Sequence, residues 1–111
     1  MKLFSPAWNS ENEKTALRAV EKITGQKKLA QVAKEAKNSN VRAAAVRKLG
    51  DADWLLLGDI AKNDSYAGVR AAAVGKLGGA YRYLLADIAK NDSDKDVREV
   101  AVGKLTDADR L

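Results

Sequence analysis

The sequence predicts an all-α fold, and more specifically a short α-solenoid of stacked antiparallel helix pairs. Three observations favour it. A 28-residue unit occurs three times between Ile23 and Thr106. The apolar positions within each unit have helical spacing. Proline occurs once, at Pro6, so no later proline interrupts a helix. One amphipathic helix pair cannot bury its apolar stripe alone, and repeated pairs bury it by stacking.

The three copies align without gaps. Val-Arg-Ala-Ala-Ala-Val stands at 41–46 and 69–74, and Val-Arg-Glu-Val-Ala-Val at 97–102. Asp-Ile-Ala-Lys-Asn-Asp-Ser stands at 59–65 and 87–93. This register predicts one domain with five parts: a capping segment and helix at 1–22, copies at 23–50, 51–78 and 79–106, and the start of a truncated copy at 107–111.

Each copy is predicted to contain two amphipathic helices joined by a turn of the Asn-Asp-Ser type. On a helical wheel the second helix has one apolar stripe, made of Val69, Ala73, Val74 and Leu77. The preceding helix shows a second stripe, made of Leu56, Leu57, Ile60 and Ala61.

The N-terminal segment carries signals for a cap. Ser10-Glu11-Asn12-Glu13 fits a capping box, in which Ser10 and Glu13 would each bond a backbone N–H of the other's residue. Phe4 and Trp8 are expected to cover the first copy. In that copy Ala36 stands where the later copies have Asp, so Asn38 or Asn40 is expected to cap its second helix.

An arginine lies inside the apolar stripe of every copy, at Arg42, Arg70 and Arg98. A buried guanidinium is costly unless it is paired and hydrogen-bonded. Asp64 and Asp92, each five residues before the valine, could supply the carboxylate and also accept backbone N–H groups at a helix start.

The order Asp, Val-Arg, small residue and Leu resembles the HEAT-repeat signature, especially the short HEAT-like repeats of bacterial and archaeal proteins. The resemblance covers about residues 23–106. It implies a right-handed superhelical stack with a structural ladder between copies, which here would consist of Arg42, Arg70, Arg98, Asp64 and Asp92. It also implies that the second helices line a concave face.

Composition argues against an enzyme. The chain has no cysteine and no histidine, which removes thiol chemistry, the commonest general base and the commonest metal ligand. The run Asp92-Ser-Asp94-Lys-Asp96 lacks the glycine and distal glutamate of a calcium loop, so we interpret it as helix capping. No catalytic residue, cofactor or metal is predicted.

Charge and hydropathy set the expected environment. Residues 1–50 carry 11 Lys/Arg against 4 Asp/Glu, or +7, and residues 51–111 carry 9 against 11, or −2, which sum to the net +5. No apolar run reaches the length of a membrane span or a secretory signal. A cytoplasmic protein with no membrane contact is expected.

The leading functional prediction is a protein- or peptide-binding scaffold that uses the concave face. Small side chains flanked by lysine could admit a helix or an acidic peptide. The candidate partner-binding residues are Ala43, Arg47, Lys48, Ala71, Gly75, Lys76, Glu99, Gly103 and Lys104. Aromatic side chains that could anchor a partner are Trp54, Tyr66, Tyr81 and Tyr83.

Two alternatives stay open. Lys48, Lys76 and Lys104 recur at 28-residue intervals and would form a basic stripe, which could bind the backbone of DNA or RNA in a salt-dependent manner. The end of the chain shows no polar cap, which solenoids need to stay monomeric, so end-to-end self-association is the second alternative.

Overall fold

The computed structural model describes residues 5–109, with side chains through residue 106. Its contacts divide the chain into two units, Met1–Gly50 and Asp51–Leu111. The described part contains α-helices and short 3-10 turns and no strand. The prediction of an all-α fold is therefore confirmed.

The first unit contains three α-helices: α1 (Glu13–Lys22), α2 (Gln26–Glu35) and α3 (Ser39–Lys48). A 3-10 turn at Ala7–Asn9 precedes them and packs on α1, and α3 contacts both α1 and α2. The valine and leucine side chains that are at most 1% exposed in this unit are Val20, Leu29, Val32, Val41, Val46 and Leu49. Each contributes about 1.5–3 kcal/mol through removal of apolar surface from water.

The second unit contains four α-helices: α4 (Trp54–Asn63), α5 (Ala67–Lys76), α6 (Arg82–Asn91) and α7 (Lys95–Asp109). Helix α4 packs on α5, α6 packs on α7, and α5 also contacts α7. The predicted stripe of α5 faces this core, since Val69, Val74 and Leu77 are at most 1% exposed.

The helices begin with the period of the sequence. Helices α2, α4 and α6 begin at residues 26, 54 and 82, and helices α3, α5 and α7 at residues 39, 67 and 95. Each step is 28 residues, so every copy of the sequence unit folds into two neighbouring helices that contact each other. The architecture is compatible with a helical repeat.

The residues that cap α1 and α3 agree only in part with the sequence-based predictions. Asn12, rather than Ser10, caps α1, and its Oδ1 accepts the N–H of Thr15 at 3.0 Å. The capping-box prediction is wrong because the Glu13 carboxylate instead accepts bonds from the side-chain amides of Asn38 and Asn40, at 3.1 and 2.7 Å. The expected cap of α3 is confirmed, since Asn38 Oδ1 accepts the N–H of Asn40 at 2.7 Å.

The two ends of the chain differ in how much the structure describes. Trp8 is buried, and Phe4 lies outside the described residues. Helix α5 ends at Lys76, whereas α7 continues past the matching residue, Lys104, to Asp109. At the position that matches Thr106, the preceding copy has Gly78, a weak helix former. Of the predicted start of a further copy at 107–111, residues 110 and 111 lie outside the described part.

Candidate functional site

The repeated arginine has the same anchor in all three copies. In each, Nη1 donates to the backbone carbonyl six residues earlier, which belongs to the C-cap residue that directly follows the first helix of the pair. The bonds run from Arg42 to Ala36 (2.8 Å), from Arg70 to Asp64 (2.8 Å) and from Arg98 to Asp92 (2.7 Å). Because the acceptor is a backbone oxygen, Ala36 serves as well as aspartate, and the arginine ties the two helices of each copy together.

Arg70 also binds a carboxylate of the next copy. Its Nε donates to Asp92 Oδ2 at 2.9 Å and its Nη2 to Oδ1 at 3.0 Å, and the two side chains are 11% and 5% exposed. Burial alone would raise the pKa of Asp92, but the bonds from Arg70 and from the Asp94 N–H outweigh it and the pKa is lowered. The same bond raises the pKa of Arg70. The ladder as a whole stays a prediction.

The turn carboxylates are engaged with the backbone. Asp64 Oδ1 accepts the N–H of Tyr66 at 3.0 Å, and Asp92 Oδ1 accepts that of Asp94 at 2.9 Å. Asp94 Oδ1 in turn accepts the N–H groups of Asp96 and Val97, at 2.8 and 3.1 Å. The interpretation of the 92–96 run as helix capping is confirmed by these bonds.

Lys48 has a structural role that the sequence analysis missed. Its Nζ donates to three backbone carbonyls where α1 ends: Val20 at 2.9 Å, Glu21 at 2.8 Å and Ile23 at 2.6 Å. A cation at this position satisfies carbonyls that have no partner within the helix and complements the helix dipole. All three ammonium protons are used, so Lys48 is committed to the fold. The only trace of this in the sequence was the recurrence of lysine at 28-residue intervals.

The predicted small-residue surface differs between copies. Ala43 is buried and Ala71 half-buried, whereas Arg47 and Glu99 are exposed. Gly75 and Gly103 occupy matching positions on the contacting helices α5 and α7, and a Cβ added at either would meet nothing within 4 Å. The backbone of both helices is therefore open to a ligand at these two positions.

A cleft of about 320 Å³ lies in the second unit beside the end of α5. Its lining consists of Asp51, Trp54, Leu57, Lys76, Leu77, Gly78, Tyr81 and Lys104. Four of these were predicted from the sequence as partner-binding or anchoring residues: Lys76, Lys104, Trp54 and Tyr81. The predicted Ala71, Gly75, Glu99 and Gly103 are not part of the lining. Tyr66 and Tyr83 are also outside it, at 57% and 90% exposure.

The aromatic wall of this cleft is partly open to water. The rings of Trp54 and Tyr81 have centroids 6.1 Å apart and planes inclined at 44°. Trp54 is 48% exposed, and desolvation by its surroundings raises the pKa of Tyr81. Two ammonium groups against one carboxylate, that of Asp51, give the lining a net positive charge. The cleft can therefore hold an anionic group beside an apolar one.

Comparison of the chain with protein-family models, curated proteins and solved structures found no match. The HEAT-like resemblance therefore stays a proposal. Within the described residues there is no group of three or more carboxylate, histidine or cysteine side chains placed to hold a metal ion. None of the described helices combines the length and the apolar character needed to cross a bilayer.

Proposed function

We propose that the chain is a non-catalytic binding module built from HEAT-like repeats, an α-solenoid of antiparallel helix pairs whose ligand is an acidic stretch of another protein. The observation that carries the proposal is the cleft of the second unit, where Lys76 and Lys104 stand beside Trp54 and Tyr81. Trp and Tyr are among the residues that most often anchor protein partners, and lysine ammonium groups bond acidic side chains.

Lys104 is the central cation of this proposal. Lys48, at the same position of the first copy, gives its three protons to backbone carbonyls. The ammonium group of Lys104 makes no hydrogen bond or ion pair with the described side chains or backbone. Its protons can therefore be donated to the carboxylates of a ligand without loss of a bond to the described residues. Charge-assisted bonds of this kind are stronger than neutral ones.

The neighbouring surface suits an extended peptide. Gly75 and Gly103 directly precede Lys76 and Lys104, and the space above both glycines is open. A peptide backbone can approach the helices there while an acidic side chain reaches Lys104 and an apolar side chain lies on Trp54. Mixed recognition of this type gives both affinity and selectivity for acidic sequences.

The nucleic-acid alternative is less well supported. It needs several cations that are available to phosphates, because phosphate contacts supply most of its affinity. Lys48, one of the three predicted stripe lysines, is committed to α1. Aromatic stacking on Trp54 alone is not specific to bases.

Fluorescence anisotropy with a labelled Glu-rich peptide tests the proposal. We expect saturable binding that a Gln-rich peptide of the same length does not show. Lys104→Gln and Trp54→Ala should each weaken binding about tenfold, the effect of losing an anchor of about 1.4 kcal/mol. Lys90→Gln, at an exposed lysine of α6 outside the cleft, is the matched control and should change nothing.

The proposal would be overturned if the acidic peptide did not bind, or if the cleft variants and the control lost peptide affinity equally. It would also be overturned if labelled duplex DNA bound more tightly than the peptide. Circular dichroism of each variant checks that the helices remain folded.

A further inference from the structure

A second open surface lies on helices α6 and α7, outside the cleft described above. A groove of about 380 Å³ is lined by Ala89, Lys95, Arg98, Glu99 and Val102. Val102 is 51% exposed, although Val74, at the matching position of the preceding copy, is fully buried. Val102 and Ala89 form the apolar floor of this groove, and the charged side chains of Lys95, Arg98 and Glu99 surround them.

The preceding copy shows what covers the corresponding surface. There α5 contacts α7, and Ala61 and Val74 are both 0% exposed. The same contact brings a carboxylate to the outer edge of the arginine, since Nε and Nη2 of Arg70 bind both oxygens of Asp92. The partner of this surface within the chain is thus a helix pair with an aspartate at its turn.

Arg98 is anchored in the same way as Arg70. Its Nη1 donates to Asp92 O at 2.7 Å, the anchor that Arg70 makes with Asp64 O. Its Nε and Nη2 make no hydrogen bond within the described residues. These two groups form the edge of the guanidinium that binds a carboxylate through two parallel bonds, so a carboxylate is the group that this edge recognises.

We propose that the groove on α6 and α7 docks a helix pair of a partner protein, one that presents an aspartate at its connecting turn to Arg98 and packs its helices on Val102 and Ala89. A second copy of this chain does not fit the role. Its Asp92 is already bound by Arg70, and its Asp64 also has partners of its own. Lys95 and Glu99, which replace Ala67 and Ala71, are exposed and can extend along the rim of the contact.

A synthetic peptide with the sequence of residues 79–106 is the probe, because it carries the turn aspartate without the arginine that occupies it here. Docking on the groove would supply the neighbour that a single helix pair needs to bury its apolar stripe, so binding should also raise the helical circular dichroism signal. Titration of the labelled peptide with the full chain should show saturable binding. The same peptide with the Asp92→Asn change should bind about tenfold or more weakly, the effect of removing a hydrogen-bonded charge. Arg98→Gln and Val102→Asp in the chain should weaken binding by a similar factor.

Controls separate this surface from the cleft. Lys104→Gln should leave binding of the 79–106 peptide unchanged, and Val102→Asp should leave binding of the Glu-rich peptide unchanged. Sedimentation of the chain alone should show a monomer. A dimer that Val102→Asp dissociates would overturn the proposal in favour of a second copy. Absence of peptide binding, or equal binding of the Asp92→Asn peptide, would overturn it as well.

Discussion

The buried pair of Arg70 and Asp92 is expected to contribute more to stability than any surface charge of the second unit. Asp92→Asn keeps the shape of the side chain and the oxygen that accepts the Asp94 N–H, but it removes the charge opposite the guanidinium. Loss of one partner of a buried pair costs about 3–5 kcal/mol. The amide oxygen can still accept one bond from Arg70, so we expect about 3 kcal/mol, a large part of the roughly 5–15 kcal/mol that stabilises a domain.

A double-mutant cycle isolates the pair. Arg70→Met retains most of the apolar stem and removes the guanidinium, together with its bond to Asp64 O. That second loss is present in both the single and the double variant, so it cancels from the coupling energy. Urea unfolding followed by far-UV circular dichroism should give a coupling of about 2 kcal/mol or more.

The pair of Lys62 and Asp87 is the matched control. It also joins two copies within the second unit, at 3.2 Å, but its side chains are 57% and 40% exposed. Water and salt screen such a pair, so the cycle of Lys62→Met and Asp87→Asn should give a much smaller coupling. The reasoning is refuted if the buried pair couples no more strongly than the exposed one.

Three further predictions concern stability. The lowered pKa of Asp92 means that its carboxylate stabilises the fold at pH values above the ordinary pKa of aspartate. This contribution is lost as the pH falls from that ordinary pKa towards the lowered pKa of the folded state. Denaturation midpoints measured across acidic pH should show the loss of stability, and Asp92→Asn should make that loss smaller. Gly103→Ala should raise the free energy of unfolding by about 1 kcal/mol in a thermal melt, because alanine favours the helix and its methyl has room; a decrease would contradict the open surface. Lys48→Met should destabilise the chain by about 2 kcal/mol and speed hydrogen exchange in α1, whereas Lys34→Met, at an exposed lysine of α2, should do neither.

The helices and their core could be predicted because their signals are local. The spacing of Val69, Val74 and Leu77 fixes which face of α5 is apolar, and the structure buries all three. The 28-residue period then places the equivalent helices of the other copies, and their starts follow it. Asn38 as a cap was also predictable, since its side chain acts within three residues of its own position.

The rest depends on bonds to backbone carbonyls and on contacts between residues that are distant in the sequence. Every residue has a carbonyl, so nothing in the sequence shows that Arg42 would bond Ala36 O, or that Lys48 would bond the end of α1, 25 to 28 residues away. Glu13 was assigned to a local capping box because its partners on α3 could not be seen. The cleft was missed as a unit because it depends on how the start of α4 and the end of α5 lie against Lys104 of α7.

The central claim is that the cleft beside Trp54 binds acidic protein sequences, and backbone and indole resonances of the full chain test it most directly. Titration with the unlabelled Glu-rich peptide should shift the Trp54 indole N–H and the Gly78 amide. The amide of Gly25, between α1 and α2, should stay in place. The claim would be contradicted if these resonances did not shift at a saturating concentration of the peptide. It would also be contradicted if the shifts were centred on Gly25 rather than on Gly78.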